Sequence, residues 1–144
     1  MSEFAGFSSR YHKIKQNLKD VEAAQYTRLL QQQDELDAEW QQLDEAKRAA
    51  REAQVGSTDL QLWQAQEFFQ RRIEEKLIQL QQARQEMGKA LEAQQLKLRT
   101  AFIEEKKWSH VAADAREAIL QARAQRTQVE ADDEALKRYR KVDA

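Results

Sequence analysis

The 144-residue sequence has no proline and only three glycines, Gly6, Gly56 and Gly88. These are the residues that most often punctuate turns, so a compact fold built from many short elements is excluded. Cysteine is absent as well, which removes disulfides, thiolate metal ligands and a thiol nucleophile, and fits a reducing compartment. The two histidines, His12 and His110, have no His or Cys three or four residues away; a metal site, which needs several ligands in one shell, is not expected. No apolar run approaches the roughly eighteen residues that span a bilayer. Residues 1–10 also lack the basic start and apolar run of a secretory leader. A cytoplasmic protein with no direct membrane insertion is expected.

What is present is the vocabulary of long helices: Ala, Gln, Glu, Leu, Lys and Arg dominate, and 34% of residues are charged. Lys plus Arg number 24 against 25 Asp plus Glu, a net charge of −1. The signs mix finely, as in Arg71-Arg72-Ile73-Glu74-Glu75-Lys76, the pattern of a solvated helix surface laced with ion pairs one turn apart. A nucleic-acid partner, which calls for a basic stripe, is not expected. The one basic cluster, Lys137-Arg138-Tyr139-Arg140-Lys141, complements the negative end of a helix dipole or meets an acidic partner surface.

Apolar residues recur singly at helical spacing. In the first half the expected seam is Tyr11, Ile14, Leu18, Val21, Gln25, Leu29, Leu36, Trp40, Leu43 and Ala50, with Ser8 or Ser9 capping its start. Three successive four-residue steps from Val21 to Gln33 predict a local unwinding of any supercoil. Gly56 is placed to end this helix in a left-handed conformation, and Thr58 with Gln61 forms a T-x-x-Q capping box for the next. In the second half Ile73, Leu80, Met87, Gln94, Ala101, Trp108, Ala115, Ala122, Val129 and Leu136 lie seven apart, a coiled-coil register. Their companions four residues on, from Leu77 through Arg84, Leu91, Leu98, Glu105, Ala112 and Ile119 to Arg140, turn polar toward the C-terminus.

The predicted fold is all-α: one elongated antiparallel coiled-coil hairpin over residues 1–144, with helix one at about 9–54, a turn at about 55–58 and a longer helix two at about 59–141. A pivot near Ser57 sets Leu36 against Ile78, Trp40 near Ile73, Ala23 against Leu91 and Tyr26 against Gly88, whose missing side chain would admit the tyrosine ring. Helix one then runs out near Glu104 to Trp108. The C-terminal end of helix two would project alone, and a lone helix needs packing to be rigid, so Ile119, Val129 and Leu136 call for a partner. Phe4 or Phe7 could cover Trp108, and at least one of Phe68 and Phe69, about 100° apart on the helix, would be exposed near the hairpin tip. The adjacent carboxylates Glu104-Glu105 and Asp132-Asp133 read as solvated faces, and both histidines as surface residues. No phosphate loop or nucleophile elbow occurs; neither catalysis nor a cofactor is expected.

The break followed by "LQLWQAQEFFQRRIEEKLIQLQQ" (60–82) and the later "EEKKWSHVAADAREAI" (104–119) resemble the FliJ/YscO family, the small coiled-coil stalk proteins of bacterial type III secretion and flagellar export. The resemblance covers nearly the whole chain. The paired tyrosines found in helix one of some flagellar members are missing here, which leaves flagellar and injectisome versions open. It implies a non-catalytic axle at the cytoplasmic face of the inner membrane, monomeric in isolation, between a hexameric secretion ATPase and an export-gate protein, with export chaperones as further partners. Gate contact carries over to Phe69, Ile73 and Leu80, although Lys76 falls where the family commonly has a small residue. ATPase contact falls on the tail, with Ile119, Val129, Leu136, Lys137, Arg138 and Arg140 as the residues. The rival class is a self-associating structural coiled coil or adaptor, in which Ile119, Val129 and Leu136 pair between chains without ATPase coupling.

Overall fold

The computed structural model describes residues 2–142. They are all-α: helix α1, Ser2–Val55, and the longer helix α2, Leu60–Val142, joined by one turn. Two units divide the contacts, Val21–Leu98 and Met1–Asp20 with Arg99–Ala144, and each is taken by itself.

The unit Val21–Leu98 contains the turn and is an antiparallel helical hairpin. Gly56 donates its amide to the Glu52 carbonyl at 3.2 Å and Ser57 donates to Gln54 at 3.2 Å, so α1 ends by tightening its last turn. No glycine among the described residues has a positive φ; the left-handed stop expected at Gly56 is absent. The cap of α2 also differs from expectation. Asp59, not Thr58, accepts the free amide of Gln61 at 3.0 Å, and the Trp63 amide closes the first turn on the Asp59 carbonyl at 2.9 Å. A carboxylate at this position satisfies an orphan donor and also faces the positive end of the helix, so it outcompetes the neighbouring threonine.

Across this hairpin Gln54 faces Glu67, Lys47 faces Glu74 and Asp37 faces Arg84. These three pairs centre near Leu60 rather than Ser57, whereas Glu22 with Gln94, farther from the turn, centres on Thr58. The expected pairings shift accordingly. Trp40 receives the Arg84 guanidinium over its ring at 5.2 Å. Ile78 is 62% exposed and is not a seam residue opposite Leu36. A Cβ at Gly88 would meet nothing within 4 Å, so this glycine leaves room for no tyrosine.

The covered face of α1 differs most from its expected composition. In this unit the shielded positions include Glu22, Tyr26, Leu29, Gln33, Leu36, Trp40, Leu43, Lys47, Ala50 and Gln54, spaced by four and three, with Ala23, Gln25, Asp37, Asp44 and Ala46 half-covered beside them. Of the expected four-residue steps, Gln25, Leu29 and Gln33 are half-covered, whereas Val21 is exposed. Polar side chains occupy seam positions because each finds a partner across the helices. Gln94 donates to both the carboxylate and the carbonyl of Glu22. Gln54 donates to Glu67 at 2.9 Å and accepts from Gln70 at 2.8 Å. No buried side-chain nitrogen or oxygen is left without a partner among the described residues, which is the condition for tolerating polar groups at an interface. On α2 the seven-residue register holds, with Ile73, Leu77, Leu80, Arg84, Met87, Leu91, Gln94 and Leu98 all covered or half-covered.

In the unit Met1–Asp20 with Arg99–Ala144, the same alternation picks out Ala5, Ser8, His12, Lys15 and Lys19 on α1 and Ala101, Glu105, Trp108, Ala112, Ala115 and Ile119 on α2. Helix one begins at Ser2, seven residues before its expected start. Ser8 and Ser9 therefore cap nothing. Ser8 is fully buried inside the helix, its hydroxyl donating to the Ala5 carbonyl at 3.1 Å, opposite a region where Ala112 is also fully buried. The expected seam residues Ile14 and Leu18 lie outside the contact and are exposed.

Candidate interaction surfaces

Within the unit holding both chain ends, His12, Lys19 and Glu105 form one electrostatic node. The Glu105 carboxylate accepts from His12 Nε2 at 3.0 Å and lies 3.9 Å from Lys19 Nζ. The hydrogen bond from His12, aided by the nearby Lys19 and Lys106 cations and opposed by partial burial, holds the Glu105 carboxyl below its ordinary range. Glu105 is thus no solvated-face residue and His12 is not free on the surface, while His110 is exposed. Nothing in the sequence singled out this pair, since it forms only when residues 93 apart in the chain meet. One turn along, Trp108 packs edge-on against Tyr11 at 4.4 Å and Phe7 at 6.3 Å between ring centroids. The covering rings are Phe7 and Tyr11, and Phe4 stays exposed.

Beyond Ile119 the surroundings of α2 change abruptly. Every side chain from Leu120 to Val142 is exposed, although the helix continues without a break. Helix one reaches further along α2 than Glu104 to Trp108, so the open stretch begins at Leu120. Of the expected ATPase-facing residues, Ile119 is half-covered and lies at the end of the closed seam. Val129 is 58% and Leu136 53% exposed. Lys137 and Arg140 face solvent, and Arg138 reaches Glu134 at 4.0 Å on its own helix. Ala122, Val129 and Leu136 continue the Ile73-to-Ala115 register into this stretch, so the sequence places apolar residues at seam positions that the chain's own first helix does not reach.

In the unit holding the turn, Val55, Leu60, Leu62, Trp63, Phe68 and Phe69 are all exposed, with Ser57, Thr58, Asp59, Leu60 and Trp63 lining a shallow surface depression. Phe68 carries the Arg72 guanidinium at 5.8 Å from its ring. An exposed aromatic and aliphatic group of this kind is the usual makeup of a protein-binding patch. The three residues expected at an export gate fare differently. Phe69 is exposed and available. Ile73 is 3% exposed, so it cannot itself meet an outside partner. Leu80 is half-covered in the same seam. Signals that could have separated them were the register positions: Ile73 and Leu80 belong to the seven-residue repeat and Phe69 does not.

The chain matches no family model, no curated protein and no solved structure.

No described helix is long and apolar enough to cross a membrane. Among the described residues no group of three or more His, Cys, Asp and Glu side chains could hold a metal ion. What these surfaces offer chemically is apolar contact and paired charge, suited to docking against another protein.

Proposed function

We propose that this chain is a non-catalytic central stalk of a bacterial type III export apparatus, of flagellar or injectisome type, working at the cytoplasmic face of the inner membrane. In this reading the open end of α2 engages a hexameric secretion ATPase, and the aromatic patch beside the turn engages an export-gate protein, with export chaperones as further partners. The observation that carries it is the stretch 120–142, helical yet with every side chain exposed and Val129 and Leu136 open at seam positions. A helix gains too little from intrinsic propensity to stay ordered alone over such a length, and packing is the usual source of its stability. A partner on this face accounts for both the register and the exposure. The resemblance of residues 60–82 and 104–119 to the stalk family supplies the identity of that partner.

The reading is tested by titrating the purified chain into the cognate hexameric secretion ATPase. Hydrolysis should rise, and Val129→Asp with Leu136→Asp should abolish the rise while helicity by circular dichroism stays unchanged. A titration that neither changes hydrolysis nor shows binding refutes the proposal. For the gate, Phe69→Ala should weaken capture of the export-gate domain, whereas Ile78→Ala, exposed on the same helix, should not.

A further inference from the structure

The charges along the open end of α2 come in blocks. Glu130, Asp132, Asp133 and Glu134 are followed by Lys137, Arg138, Arg140 and Lys141, and the whole stretch is exposed. At about 100° per residue, Val129, Asp132, Leu136 and Tyr139 fall within an arc of roughly 80°, making a narrow face with Asp133 and Arg140 along one border. Three charges on that stretch already have local partners: Glu134 pairs with Arg138, and Asp132 accepts from Gln128 at 3.1 Å. Asp133 and Arg140 have no ion-pair partner among the described residues.

We propose that two copies of the chain pair through this face as an antiparallel helix dimer, with the two-fold axis beside Leu136. That register sets Leu136 against Leu136 of the second copy and Asp132 within reach of its Tyr139 hydroxyl. It also lays Asp133 beside Arg140 and Arg140 beside Asp133, one ion pair on each side of the axis. The charge pattern selects both the direction and the occupant. In a parallel pair the acidic block would lie against itself and the basic block against itself, a repulsion at every turn; turned end for end, each block meets its opposite. A second copy is the one occupant whose complementary charge is already written in the sequence. The register is also sterically open, since the overlap is confined to about residues 129–142 and stops short of the level where α1 covers α2 near Ile119.

Four turns from each copy cover well under the roughly 1,200 Å² of a standard interface, so the pair dissociates on dilution and weakens with added salt. It does not rest on the stalk reading. Where both hold, self-pairing hides Val129 and Leu136, and any partner on this face must compete with it.

Because the chain has no cysteine of its own, single substitutions test the geometry directly. Under mild oxidation at tens to hundreds of micromolar protein, Leu136→Cys should form a disulfide-linked dimer. Val129→Cys, on the same face, should stay monomeric, because its twin lies roughly 20 Å away along the axis and a disulfide needs Cα atoms within about 7 Å. Cross-linking of both variants would mean parallel pairing, and of neither no pairing; either result overturns the proposal. Arg140→Asp alone should weaken dimerisation in sedimentation by roughly tenfold, and Asp133→Arg combined with Arg140→Asp should restore it. Single reversals that leave the dimer unchanged, or a double variant that stays monomeric, count against the register.

Discussion

Replacing Ile73 and Ile78 by alanine, one at a time, measures what the seam is worth, because the two isoleucines lie on one helix in one unit and differ in burial, 3% against 62% exposed. Each substitution removes three carbons. At about 0.8 kcal/mol per fully buried carbon group, Ile73→Ala forfeits roughly 2.4 kcal/mol. The better helix propensity of alanine returns about 0.4 kcal/mol, leaving a net loss near 2 kcal/mol. That is the low end of the usual range for such truncations, as suits a two-helix seam into which neighbouring side chains and water can relax. Ile78 is already mostly in water, so its loss and the propensity gain nearly cancel, and the expected change is within about 0.5 kcal/mol. Urea unfolding followed by circular dichroism at 222 nm gives both values, and fluorescence in a background with Trp63 and Trp108 replaced by phenylalanine lets Trp40 report this unit locally. Equal destabilisation by the two variants, or a larger effect at Ile78, would refute the register described for this hairpin.

Further outcomes follow from the caps and polar contacts. Glu105 has a folded-state carboxyl held below its ordinary range; its contribution is therefore present above the ordinary carboxylate pKa and is lost as pH falls through the depressed one. Acid titration of stability should show this loss in the wild type, and Glu105→Gln should flatten that part of the curve. At the turn, Asp59→Ala should cost about 1 kcal/mol and Thr58→Ala much less in thermal melts, the reverse of what a threonine capping box requires. The buried amides Gln54 and Gln70 depend on one another at 2.8 Å; Gln54→Leu should cost about 1–3 kcal/mol by stranding its partner, while the double change to leucine should recover much of it. An additive double variant would show that the two amides are uncoupled.

Much of the fold was legible without coordinates. The lack of proline, the turn-forming cluster Gly56-Ser57-Thr58-Asp59 and the seven-residue repeat from Ile73 onward point to an all-α chain of two long helices with one turn, because no other interior stretch combines a glycine with helix-capping residues and the repeat calls for a helical partner. The exposed aromatic patch and the apolar positions Val129 and Leu136 were readable for the same reason. What only the tertiary structure decided is which face of α1 is covered. Reading apolar residues alone selected Ile14, Leu18 and Val21, but the closed face carries His12, Lys15, Lys19 and Glu22. A polar group is admitted there only if a partner waits on the opposite helix, as Glu105 does for His12 and Gln94 for Glu22. Such partners are distant in sequence, and their hydrogen bonds, not the hydropathy of either residue, fix the register.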